Sequence, residues 1–335
     1  MVGVLVLALS TLGAADAPVA DIAEIIMDAQ ATNAALVASG SAKFQSRLEM
    51  GGRRAVEARG TFAWRGQDGL WVFKFSDPDG VFSRKEDYIE PVDDAPTEYM
   101  LVNEDRLRTY SSKKNALFIN RIVKRSQTTP GFRLFDLFPD SLWYRCCPPH
   151  QTEGRPWKDM FGPNSPASRP NSAHEISATG PRTYRFTRRD PDVGVMETDV
   201  SLQLAGHVTA TKYIPSSPRV EATRVEYVWE RLPGGAVVLK SCEATRARPG
   251  DPSSVAVRFA VELEILKVGK AAVARSTFLP SEFEKLLPEN TKVVDHVANR
   301  SYPLHPDSGP PPDRLKDLSE ELKDGGLLKK DGGRP

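Results

Sequence analysis

Cysteine is scarce: only Cys146, Cys147 and Cys242 occur in 335 residues. A structural zinc site needs about four ligands, with its cysteines spaced by about two to four residues. The stretch "RCCPPH" offers adjacent Cys146 and Cys147 with His150, and no second cluster completes a ligand set. The pair also lacks the two-residue spacer of a redox dithiol. No metal and no cofactor are expected. Charge of one sign is missing too. Lys and Arg number 45 against 44 Asp and Glu, a net charge of +1, without the basic excess of a nucleic-acid partner. No apolar run reaches the roughly 20 residues of a membrane-spanning helix, so an integral membrane protein is not expected. The five histidines, 150, 174, 207, 296 and 305, are scattered. None belongs to a Glu-x-x-His or nucleophile-elbow pattern, and there is no glycine-rich phosphate loop. His174 and His207 fall in predicted strands, where a surface or hydrogen-bonded role is the simplest. No catalytic residue is identified and no enzyme is expected, although a hydrolase site built from dispersed residues would leave no such signature. Internal repeats and alternating helix and strand patterns are also lacking.

What the chain has is a leader-like start and a long series of strands. "MVGVLVLALSTLGAADAPVA" carries an apolar run from Val2 to Leu12, then Gly13-Ala14-Ala15. That is the pattern of a secretory signal cleaved near Ala15, so residues 1–15 are read as a signal peptide and the mature chain as exported and soluble. Ile22, Ile25, Ile26, Ala29, Leu36 and Val37 then recur on one helical stripe, with Gly40 as the expected stop. From there the period changes to two. Phe44, Leu48 and Met50 share one parity; so do Val56, Ala58, Phe62 and Trp64, then Trp71, Phe73 and Phe75. Val255, Val257, Phe259, Val261, Leu263 and Ile265 alternate without a break. Alternation of this kind means strands with one buried face, typical of antiparallel sheet. Further strands are predicted at 97–103, 106–111, 115–123, 173–179, 182–189, 195–205, 207–214, 220–231 and 235–247. The expected fold is mainly β: about a dozen strands meandering in one large, curved antiparallel sheet.

"TPGFRLFDLFPDSLWYRCC" breaks the rhythm. Phe132, Phe135 and Phe138 lie three apart among Leu134, Leu137, Leu142 and Trp143, apolar on nearly every side. Such a helix must bury itself, and on a curved sheet the concave face is the natural place. The segment 146–172 reads as an insertion. From about residue 300 the chain turns rich in proline, glycine and charge and is expected to form a disordered tail. In an exported protein Cys242 could pair with Cys146 or Cys147, the two neighbours could pair with each other, or all three could stay thiols. The aromatic set Phe62, Trp64, Trp71, Phe73, Tyr227 and Trp229 is either plain core or the lining of a ligand cavity.

A leading helix followed by "AKFQSRLEM" and "EARGTFAWRGQDGLWVFKF" resembles the opening of the periplasmic lipoprotein-carrier family, LolA-like with the related LppX-like proteins. "DRLRTYSSKKNALFINRIV" is similar to its next hairpin. "STFLPSEFEKLLPENTKVVDH" is similar to its ending, a Phe-rich strand, a Pro-bearing turn and Val-Val-Asp. The resemblance spans residues 20–297. It implies a half-open β-barrel over residues 16–299, with an N-terminal helix and with a lid helix at 131–145 on the concave face. It also implies a carrier that shelters acyl chains without catalysis. The family's Arg-Pro pair is represented by Arg65 alone. Read this way, the chain is a periplasmic carrier or binding protein for the acyl chains of lipoproteins, or for lipid and other apolar ligands. The expected ligand-contacting residues are Phe44, Leu48, Phe62, Trp64, Trp71, Phe73, Phe132, Phe135, Phe138, Trp143, Tyr227, Trp229 and Phe259. The alternative is an envelope sensor or scaffold on the same fold, meeting an envelope protein partner without moving cargo.

Overall fold

A computed structural model describes residues 19–66, 68–79, 91–103, 106–121 and 173–305. The predicted lid helix, the 146–172 insertion, the leader and most of the tail lie outside the described residues.

The alternating segments become one sheet. Helix α1 (Val19–Leu36) precedes β1 (Ser39–Met50), β2 (Val56–Arg65), β3 (Asp68–Ser76), β4 (Thr97–Asn103), β5 (Arg106–Ser111) and β6 (Ala116–Arg121). The second half holds β7 (Ala173–Gly180), β8 (Thr183–Asp190), β9 (Gly194–Ser201), β10 (His207–Pro215), β11 (Thr223–Arg231), β12 (Val237–Arg248) and β13 (Asp251–Gly269). A 3-10 turn at Arg275–Phe278 and helix α2 (Pro280–Glu284) lead to β14 (Lys292–Asp295) and β15 (Arg300–Pro303). The fifteen strands run in the order β15-β14-β6-β5-β4-β3-β2-β1-β13-β12-β11-β10-β9-β8-β7. Every pairing is antiparallel except β14 with β6. Strand β13 returns beside β1, so the N-terminal hairpins and the β7–β12 meander form two arms joined at the β1–β13 pair. Twisted sheets rarely exceed about ten strands without curling, and this one remains open between β15 and β7.

Several boundaries differ from expectation for local reasons. The α1 helix ends at Leu36, and Gly40 is not its stop. Gly40 lies inside β1 opposite Trp64, and a Cβ there would come within 2.3 Å of the indole. On α1 the buried stripe is Ile22, Ala23, Ile26 and Asn33, while Ile25 is 50% exposed. The strand predicted to reach 205 stops at Ser201, where Leu202–Leu204 form a 3-10 turn that ends in left-handed Ala205 and Gly206 (φ 56° and 74°). Residues 275–284, expected as a Phe-rich strand, form the 3-10 turn and α2 instead. There Pro280 suits a helix start, and Phe278 and Phe283 bury against Leu101, Tyr110 and Leu117 on the outer face. Residues 300–303 pair with β14, so the sheet runs past the boundary expected at 299. Their Tyr302 packs on the same outer-face cluster.

One glycine sits where the two inner aromatic rows meet. Gly60 is the cross-strand partner of both Phe44 and Phe73, whose rings approach to 6.5 Å. A Cβ on Gly60 would fall 2.2 Å from the Val72 carbonyl oxygen and 2.6 Å from Phe73 Cβ. These atoms belong to the sheet's own framework and cannot swing away. Gly60→Ala is expected to cost about 1–3 kcal/mol in a urea titration. Gly51→Ala, where the nearest foreign atom is 3.4 Å away, should leave the midpoint nearly unchanged. Equal midpoints for the two variants would contradict this reading of Gly60.

Candidate functional site

Register decides which side chains share a face. Leu48 stands opposite Val56 and Phe259, and Phe259 opposite Ala244. Ala42, Phe62 and Trp71 line up across β1, β2 and β3, and Met100 follows on β4. All belong to one apolar cluster that draws on seven strands, β1–β4 and β11–β13. Seven predicted contact residues, Phe44, Leu48, Phe62, Trp64, Trp71, Phe73 and Phe259, are buried in it, with Tyr227 and Trp229 packed at its margin. Phe132, Phe135, Phe138 and Trp143 lie outside the described residues.

The aromatic rings are stacked rather than dispersed. Phe62 lies 5.0 Å from Trp64 and 6.3 Å from Trp71, centroid to centroid, with interplanar angles of 22° and 18°. Gly69 gives Trp71 its seat, since a Cβ there would meet the ring at 2.3 Å. The Trp64 indole donates to the Val37 carbonyl at 2.8 Å, which ties the inner face to the end of α1. Arg65 donates to the Val273 carbonyl at 2.7 Å, so its described partner is the segment leading to α2.

Of the described α-helices, only α1 lies on this face, and it lies toward one arm. Ile22, Ala23 and Ile26 pack on Tyr184, Phe186 and Val200. Gln30 donates to the Gly206 carbonyl at 2.7 Å. The buried Asn33 is held by Val237: its Oδ1 accepts from the backbone N–H and its Nδ2 donates to the carbonyl, both at 2.8 Å. That fixes the amide orientation, so the same Nδ2 faces His207 Nε2 at 2.9 Å as a donor. The His207 ring stacks on Trp229 at 3.9 Å and 9°. Desolvation pushes its pKa down to about 4, although the residue as a whole is only half-buried. The imidazole is therefore neutral, with its proton on Nδ1. Sequence reasoning reached a hydrogen-bonded histidine but missed Asn33, a polar residue on a helical stripe read by its apolar members alone.

The outer face is different. A groove of about 660 Å³ there has charged walls, and several of its charges are paired or hydrogen-bonded. Lys43 meets Glu264 at 3.1 Å, Arg59 meets the Asp93 carboxylate at 3.3 Å, and Lys74 donates to the Asp93 backbone carbonyl at 2.6 Å. This is a solvated, ion-paired surface. Among the described residues, three buried polar atoms of the inner side have no hydrogen-bond partner: Trp71 Nε1, Thr223 Oγ1 and Arg246 Nε. Among the described residues no three of His, Cys, Asp and Glu gather as metal ligands, and no helix is long and apolar enough to cross a membrane.

No family model and no curated protein matches the chain. Among solved structures it is similar to a DUF1329 family protein from Desulfovibrio piger, with 9% identity and a TM-score of 0.43, over 80% of this chain and 100% of that one. A LolA superfamily protein from Nitrosomonas europaea follows at 10% identity and a TM-score of 0.39, over 78% and 98% of the two chains. A domain described as an outer membrane lipoprotein-sorting protein, from Vibrio parahaemolyticus, matches at 7% identity and 0.40, over 78% and 97%. Structural neighbours thus include LolA superfamily, lipoprotein-sorting and DUF1329 proteins, all at low identity, and the family that the quoted segments resemble is among them.

Proposed function

We propose that this protein is an exported carrier or binding protein that shelters the acyl chains of lipoproteins, or other apolar ligands, on the inner face of its open sheet. The observation that supports this most is the apolar cluster itself. It runs unbroken across seven strands of a single sheet, and α1, the only described helix on that side, covers one end. A sheet needs only enough apolar surface to bind its covering layer. A face this wide also suits an apolar guest, held by burial and dispersion without directional bonds. Each buried methylene contributes roughly 0.8 kcal/mol, so a chain of about 14 carbons gains on the order of 10 kcal/mol before ordering costs. The apolar leader-like run supports export. The segment 131–145 is proposed as the lid, with Phe132, Phe135 and Phe138 filling the site when no cargo is present.

The test is to purify the full-length protein from its host without detergent, extract it with organic solvent and identify the extract by mass spectrometry. Acyl lipid near one equivalent is the expected result. No co-purifying lipid, together with no binding of a fluorescent fatty-acyl probe, would leave the sensor or scaffold reading in its place.

A further inference from the structure

Two of the three unpartnered polar atoms belong to residues that face each other. Thr223 on β11 and Arg246 on β12 are direct cross-strand partners. Thr223 is only 3% exposed, and its hydroxyl has no partner. Arg246 spends one terminal nitrogen on Glu221, at 3.0 Å, and leaves Nε buried and unpaired. A buried donor or acceptor without a partner is costly, so two such groups side by side call for an occupant. Both sit on the inner parity of their strands. Val225 and Ala244, the next inner positions, are members of the apolar cluster, and Val257, which packs against that cluster, is the β13 partner of Arg246. The pair therefore terminates the apolar face, at the end away from α1. From Val237, where Asn33 anchors α1, to Arg246 is about 30 Å along β12 at about 3.3 Å per residue.

We propose that Thr223 and Arg246 form the polar end of the inner-face site and hold the carbonyl of an ester- or amide-linked acyl chain, its tail running toward α1. This rests on the carrier reading above and adds to it the orientation and chemical class of the ligand. Thr223 Oγ–H and Arg246 Nε–H are two donors suited to one carbonyl oxygen, which has two lone pairs. Glu221 already balances the guanidinium charge, so the site favours a neutral acceptor over a free carboxylate. The Trp71 ring is 1% exposed and closed in by Phe62 and Gly69; Thr223 Oγ1 and Arg246 Nε are buried as well, but 20% of the Arg246 side chain is open to solvent.

The experiment is a competition for a fluorescent polyene hydrocarbon bound to the full-length protein, with methyl palmitate, palmitate and n-hexadecane as competitors. The wild type is expected to prefer the methyl ester over both others. Thr223→Val should cut affinity for the ester about tenfold and leave that for hexadecane unchanged, and Thr223→Ser should restore the ester. Because Thr223→Val removes an unsatisfied buried hydroxyl, it should not unfold the protein, which an unchanged or raised urea midpoint would verify. If the wild type binds hexadecane and ester alike, or if Thr223→Val leaves ester affinity intact, the two atoms hold water only and the inference fails while the carrier reading stands. If no competitor and no polyene binds, the carrier reading fails and this inference with it.

Discussion

Phe259→Ala is expected to lower the stability of the full-length protein by about 3–5 kcal/mol, the range for a buried aromatic truncated in a packed core. Phe259 is 0% exposed and lies at the junction of the two arms, between Leu48 on β1 and Ala244 on β12. The β1–β13 pair that it spans has neighbours on both sides, so the side chain cannot be relieved by fraying of an edge. The measurement is the urea midpoint with an unchanged slope. Val228→Ala, at a position 52% exposed, serves as the reference and should move stability by less than about 0.5 kcal/mol. The result also decides between plain core and ligand lining. A loss below about 1 kcal/mol would mean that the face is not close-packed around Phe259 in the free protein. Recovery of the lost stability on adding an acyl ligand would mean that the guest fills the gap left by the ring.

Acidification is expected to loosen the α1 end of the same face. His207 titrates near 6.5 when unfolded, whereas desolvation holds it at about 4 in the fold. A depressed histidine pKa means that the unfolded chain binds the proton more readily. The neutral ring's contribution is thus complete above about pH 6.5 and is lost as pH falls toward 4. Between pH 7.5 and 5 the loss is at most about 2 kcal/mol, by about 1.36 kcal/mol per pKa unit, and less because the residue is only half-buried. Geometry gives the loss a local cause. The amide Nδ2 of Asn33 is pinned by Val237 and can only donate, so a protonated Nε2 would meet another donor. The check is the urea midpoint of wild type and His207→Gln at both pH values. The wild type should lose stability on acidification and the variant, with no proton to take up there, should lose less. Parallel losses would assign the effect to groups elsewhere and would dismiss the histidine.

Much of this fold was legible in the sequence because a strand with one buried face writes its parity directly into the residues. Phe44 and Leu48, Phe62 and Trp64, and Trp71 and Phe73 were grouped by alternation alone, and they share one cluster in the structure. The helix at the start of the chain was legible for the same reason at a different period. Short irregular elements were not. Residues 275–284 carry Phe278 and Phe283, which read as strand-like aromatics, but their burial on the outer face is set by Leu101, Tyr110 and Leu117 from far earlier in the chain.

By itself, then, the sequence determined the class of the protein: a leading helix, many one-faced strands and an apolar parity rich in aromatics. These are local properties, carried by residues two or four apart. Tertiary structure alone decided the rest, because pairing partners are not local. It placed β13 beside β1, which joins two arms into one open sheet. It set Gly40 and Gly69 as seats for Trp64 and Trp71. It turned Asn33 toward His207 across 174 residues of chain, and it set Thr223 opposite Arg246 with polar atoms left unpaired. No periodicity records such meetings, since each depends on the register of strands that the chain brings together only when folded.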